Sequence, residues 1–161
     1  MAKLLIVYHS RTGGAEQMAD AAWRAAKAET ESILQRARET APEDVLAADA
    51  YLFVAPENLA ALSGEMKEFF DRCYYPVLGK IEGRPYAQMI CAGSDGENAV
   101  RQTARIATGW RLREIHPPVI INTQAQTRAE ILAPKHISEP DLETCRAVGA
   151  TLAAGLAMGV F

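Results

Sequence analysis

The chain has 161 residues, 49% of them hydrophobic and 23% charged, which suits a globular protein burying roughly 70% of its unfolded surface and excludes a disordered one. A formal net charge of −3 argues against a nucleic-acid footprint and against a polybasic membrane patch. Cys73, Cys91 and Cys145 are odd in number and far apart, so no disulfide framework is expected.

The N-terminus enters strand-like sequence at Leu4 without a secretory pattern, and no uncharged stretch reaches bilayer length. The expectation is one domain over residues 1–161, in the cytoplasm, with neither nucleic acid nor membrane as a partner.

Leu4 to Tyr8 is a short apolar run, the pattern of a strand buried on both faces of a parallel sheet. After two glycines, Ala15, Met18, Ala19, Ala22 and Ala26 recur at helical spacing. Ser32 to Ala37 reads as a weak second strand, and Pro42 to Ala47 as a short helical turn. Ala50 to Ala55, "AYLFVA", is the clearest central strand. Pro56 to Leu62 is expected to be a loop, because proline cannot donate to a ladder.

Ser63 has the character of an N-cap, and Leu62, Met66, Phe69, Phe70 and Cys73 share one face of the helix that follows. Pro85 to Ala92 is a fourth strand, and "GSDGEN" a turn before a helix from about Ala99 to Thr108. Leu112 to Ile115 and Val119 to Asn122 are two pieces of a fifth strand divided by Pro117 and Pro118, or a strand and an edge extension. Thr123 to Ile137 has no clear period. Ser138 and Asp141 open a closing helix.

Alternating strands and helices give an α/β fold with helices on both faces of a parallel sheet. Five strands in this length favour the flavodoxin-like order 2-1-3-4-5, a three-layer sandwich whose ligand crevice lies outside the carboxyl ends of the first and third strands.

Three loops face that crevice. In "SRTGGA", residues Ser10, Arg11, Thr12, Gly13, Gly14 and Ala15 lead into a helix N-terminus, where free N–H groups and two hydroxyl donors suit a phosphate. Neither G-x-G-x-x-G nor G-K-[ST] is present there. Arg11 can pair with the phosphate or face solvent, and solvent is preferred because the backbone donors beside it suffice.

This loop resembles the S-x-T-G-x-T phosphate loop of the flavodoxin-like superfamily at Ser10, Thr12 and Gly13, with Ala15 in place of the final Thr. "PENLAALSGEMKEFFD" is similar to a segment of NAD(P)H-dependent FMN reductases and related quinone reductases at Pro56, Glu57, Gly64, Lys67, Phe69 and Asp71. The resemblance covers most of the chain to about Thr108.

It implies an FMN site with Pro56, Glu57, Asn58 and Leu59 beside the isoalloxazine ring and Gly93, Ser94 and Asp95 toward its pyrimidine end. It also implies NADPH or NADH as a transient co-substrate and a quinone, flavin or other small molecule as electron acceptor. The alternatives are a flavodoxin-type electron carrier and a module that has lost FMN. No aromatic residue in the second or third loop is available to clamp a ring, no catalytic side chain is required, and no metal is expected. Related reductases associate as dimers or tetramers, for which Tyr74, Tyr75, Pro76 and Val77 are candidate contacts.

His9 is read as a structural imidazole at least as much as a ligand contact, Trp110 as a core or interface residue, and Cys91 as an inert buried thiol. A receiver-domain reading is excluded by His9, Ser10, Ala55 and Pro56 at the positions where such domains carry acids.

Overall fold

The computed structural model describes residues 1–161. In chain order its first half comprises β1 (Lys3–Tyr8), α1 (Gly14–Ala26), β2 (Glu31–Arg36), a 3-10 turn (Ala37–Glu39), α2 (Pro42–Ala47), β3 (Ala50–Asn58), β4 (Ala61–Leu62) and α3 (Gly64–Val77). The second half adds β5 (Pro85–Ala92), α4 (Glu97–Gly109), β6 (Arg113–Glu114), β7 (Val119–Asn122), α5 (Arg128–Leu132) and α6 (Glu139–Met158).

β1 lies between β2 and β3, β3 pairs with β5, and β5 carries β6 and β7 on its outer edge, all in parallel. Counting the main strands, this is the expected 2-1-3-4-5 arrangement. The fifth position is filled by two pieces, as one of the two sequence readings allowed. Arg113 pairs with Pro85 and Val119 with Met89, so the register advances by two residues between the pieces. Pro117 and Pro118 lie in that interval, where their missing N–H groups would otherwise break the ladder.

Side chains alternate across the sheet as period two demands. Leu4, Ile6, Leu52, Val54 and Met89 face a layer made by α1 and α6, with Met18, Ala22, Cys145 and Leu152. Leu5, Val7, Tyr51, Phe53 and Ile90 face α3 and α4, with Met66, Phe69, Phe70 and Trp110. Trp110 is 3% exposed and meets Phe70 edge-on at 5.3 Å between ring centroids. The alanine-rich face of α1 lets α6 come close: a methyl group on Gly149 would lie 2.1 Å from the Ala22 carbonyl oxygen.

The segment from Pro56 to Leu62 is not the loop expected from its proline. β3 continues through Pro56 and Glu57 to Asn58, turns at Leu59 and Ala60, and returns as antiparallel β4. Proline is tolerated because the Val54 carbonyl receives His9 N–H at the last rung with β1, and Pro56 shares its parity. The N–H that Pro56 lacks would therefore face the space beyond β1, where no acceptor strand continues.

One further expectation is corrected, and the segment that had no clear period acquires a helix. Val77 is fully buried in the α3 layer and cannot serve as an association contact, whereas Tyr75 is 81% exposed and stacks on Tyr74. Within the aperiodic Thr123 to Ile137 segment, α5 forms because Thr127 Oγ1 accepts Glu130 N–H at 3.2 Å while Glu130 Oε2 accepts Thr127 N–H at 3.2 Å, a reciprocal cap.

Candidate functional site

The carboxyl ends of β1, β3 and β5 place the three loops at one end of the sheet. Gly13 caps α1 in the left-handed region at φ 97, a conformation that glycine adopts without steric cost. Its N–H donates to Ser10 Oγ at 3.1 Å. The N–H groups of Arg11, Thr12, Gly14 and Ala15 have no acceptor within the protein. They stand at the positive end of a 13-residue helix, an arrangement that attracts an anion. Arg11 is exposed, and Ala15 is buried.

The second group of residues sits on the β3–β4 hairpin. Pro56 and Glu57 are half-buried, Asn58 is exposed, and Leu59 at the tip is 100% exposed. Leu59 and Ala60 both have positive φ, 52 and 60, an unusual strain for side chains of this type. Glu57 Oε2 is buried without a hydrogen-bond partner. The hairpin is braced by α4: Asn98 Nδ2 donates to Ala60 O at 2.6 Å, and Leu62 N–H to Gln102 Oε1 at 2.6 Å.

The third loop is held from the far side. Gln126 Nε2 donates to Gly93 O at 2.8 Å, and Asn122 Nδ2 donates to Ser94 O. Asp95 Oδ1 accepts Glu97 N–H at 3.3 Å, which engages the carboxylate at the start of α4. The fold thus gathers all three predicted groups around the ends of β1, β3 and β5.

His9 links the first loop to the second. Its Nδ1 lies 2.8 Å from Ser63 Oγ in a buried contact, and its Nε2 lies 3.6 Å from Glu65 Oε2. Burial holds the imidazole below its ordinary pKa; Glu65 opposes that shift, while Arg11, Arg36 and Arg38 reinforce it. Ser63 is the N-cap residue by position, but its side chain accepts no bond from its own helix.

The three cysteines are free and buried, and burial raises Cys73 and Cys91 to about 11 and Cys145 to about 12. No cluster of His, Cys, Asp or Glu could hold a metal ion. No helix is long and apolar enough to cross a membrane.

One contributor escaped the sequence reading. Between β7 and α6 the chain crosses back to the first loop, where Lys135 N–H donates to Thr12 O at 2.8 Å and Lys135 Nζ to Thr12 Oγ1 at 3.3 Å. The signal for local order was the Thr127 and Glu130 spacing; nothing local marked the contact across 123 residues. A cavity of about 480 Å³ opens beside this crossing, bounded by Ile121, Thr123, Glu130, Lys135 and Asp141 among others.

Comparison with known proteins bears on this arrangement. A family model described as NADPH-dependent FMN reductase matches residues 9–126. A flavodoxin of Aquifex aeolicus (strain VF5) is 34% identical over 98 residues, 60% of this chain and 53% of that protein, so the matched region spans about half of that relative. A WrbA-like flavodoxin from Agrobacterium tumefaciens superposes with a TM-score of 0.78 at 20% identity, covering 99% of both chains. A flavodoxin from the domain Archaea gives 0.77 at 16% identity, covering 96% of this chain and 98% of that one. At such identities the structural likeness is one of fold. Because the family match takes in all three loops and well over half of the sequence, the chain belongs to the NADPH-dependent FMN reductase family and has a flavodoxin-like fold.

Proposed function

We propose that the protein is an FMN-dependent oxidoreductase that takes hydride from NADPH or NADH and passes electrons to a quinone, a free flavin or another small acceptor. The observation that carries this reading is the cradle of unengaged N–H groups on Arg11, Thr12, Gly14 and Ala15, in a chain whose family is that of FMN reductases.

The donor set fits a phosphate monoester. Ser10 Oγ already accepts from Gly13, so its own proton is left to donate outward, and the left-handed Gly13 separates two pairs of unengaged amides, Arg11 and Thr12 before it and Gly14 and Ala15 after it. Ser10, Arg11, Thr12, Gly13, Gly14 and Ala15 would hold the phosphate. Pro56, Glu57, Asn58 and Leu59 would flank the ring, with Leu59 supplying an apolar surface. The unpartnered Glu57 Oε2 is an acceptor available to a donor on that side. Gly93, Ser94 and Asp95 would border the ring's polar end.

When bound, FMN supplies the two-electron redox chemistry. This chain orients the group and leaves one face of the site open, since neither the hairpin nor the third loop carries an aromatic side chain. An open face admits a nicotinamide and then an acceptor.

A second reading is favoured by the identity to the Aquifex flavodoxin: an electron carrier that is reduced by a partner protein. Titration with FMN followed by NADPH and a quinone separates the two. Tight FMN binding with rapid NADPH oxidation supports the reductase; bound flavin that NADPH leaves oxidised supports the carrier. Absence of FMN binding overturns both readings.

A further inference from the structure

We propose that Lys135, on the crossing between β7 and α6, belongs to the phosphate site: it turns the Thr12 hydroxyl into an outward donor and supplies a positive charge that favours FMN over uncharged riboflavin. This inference rests on the FMN reading given above.

The crossing is anchored to α1 independently of the Lys135 ammonium. Lys135 N–H donates to Thr12 O at 2.8 Å, Gln17 Nε2 donates to Lys135 O at 2.8 Å, and Ile137 N–H donates to Gln17 Oε1 at 3.0 Å. These bonds set the position of the side chain before any ligand arrives.

The ammonium then has three neighbours: Thr12 Oγ1 at 3.3 Å, Ile131 O at 2.9 Å and Ala133 O at 2.7 Å. All three are neutral acceptors. Lys67, Arg24, Arg36, Arg72 and Arg146, by contrast, each meet a carboxylate. A half-buried lysine with its protons engaged and no counter-ion is electrostatically incomplete, and an anion at the adjacent amides would complete it.

Thr12 gains direction from the same contact. With one lone pair receiving Lys135, its hydroxyl retains its own proton for an outside acceptor, as Ser10 does by receiving Gly13 N–H. Lys135 is therefore a positioning residue acting through Thr12 as well as a source of charge. Its effect belongs to the phosphate and not to the ring.

Equilibrium titrations of FMN and riboflavin into the wild type, Lys135→Met, Lys135→Arg, Thr12→Val and the Lys135→Met/Thr12→Val double variant test this. Lys135→Met keeps the aliphatic stem, and circular dichroism verifies folding. The expected result is a loss of FMN affinity of about tenfold or more in Lys135→Met, unchanged riboflavin affinity, partial rescue by Lys135→Arg, and a smaller effect of Lys135→Met in the Thr12→Val background. Equal FMN affinity in wild type and Lys135→Met, or an equal loss for FMN and riboflavin, overturns the inference and leaves the FMN reading standing. A wild type that binds no FMN overturns both. If Lys135→Met fails to fold, Lys135→Gln, which keeps a polar donor and removes the charge, decides: an unchanged preference for FMN over riboflavin overturns the inference, and a reduced preference supports it.

Discussion

Ser63 Oγ stands 2.8 Å from His9 Nδ1, so the hydroxyl that opens α3 is committed to the end of β1 and not to its own helix. That contact joins the strand before the first loop to the return of the hairpin, and Glu65 sits on the other ring nitrogen at 3.6 Å.

The first prediction concerns pH. His9 is 8% exposed, and burial lowers its pKa in the folded chain below the ordinary 6.5. The unfolded chain therefore takes up this proton first, and the stability linked to neutral His9 is present above about pH 6.5 and is lost as pH falls through the lower folded value. His9→Gln removes the titration while keeping groups that can meet Ser63. Thermal melts between about pH 7 and pH 5 should fall more steeply for the wild type than for the variant; parallel curves would refute the assignment to His9.

The hairpin turn should show a trade between stability and binding. Leu59 and Ala60 occupy positive-φ positions that a two-residue hairpin prefers to fill with Asn and Gly. Leu59→Asn with Ala60→Gly should stabilise the protein by roughly 1–2 kcal/mol; on the proposed FMN reading, in which Leu59 flanks the ring, it should also weaken FMN and riboflavin alike. Chemical denaturation and flavin titration together check both halves.

Close approach of α1 and α6 gives a third expectation. Alanine at position 149 would bring a methyl group to 2.1 Å from the Ala22 carbonyl oxygen, and backbone cannot yield as a flexible side chain can. Although alanine is the better helix former by about 1 kcal/mol, Gly149→Ala should destabilise the fold by about 2 kcal/mol net. A urea transition that moves to higher concentration would contradict this packing.

The thiols should be silent in the native protein. Cys73 and Cys145 are fully buried and Cys91 is 8% exposed, and burial pushes all three to about 11 or 12, leaving little thiolate near neutral pH. Iodoacetamide at about pH 8 should label none of them in the folded chain and all of them in urea. Mass spectrometry reads the outcome directly, and labelling of Cys91 in the native state would show that the end of β5 opens.

Much of this architecture is legible along the chain. The apolar runs at Leu4 to Tyr8 and Ala50 to Ala55 announce strands buried on both faces, and the alanines from Ala15 to Ala26 announce a helix with a narrow apolar side. Pro42 to Ala47 forms α2 where the short helical turn was expected. The first loop, with its unengaged amides, is equally local, because a strand, a glycine turn and a helix N-terminus are contiguous. Pro56 misled for a specific reason: a missing N–H disrupts a strand only where a neighbour stands ready to accept it, and β1 has already ended.

The amino-acid order alone determined the alternation of strands and helices and the residues of the first loop, since periodicity and turn chemistry act over a few neighbours. Only the folded molecule decided that Ser63 serves His9, that Asn98 and Gln102 hold the hairpin, and that Lys135 reaches Thr12. These are contacts across 54, 38, 40 and 123 positions. Each depends on which loops the parallel crossovers carry to the same end of the sheet, a property of topology that no local pattern encodes.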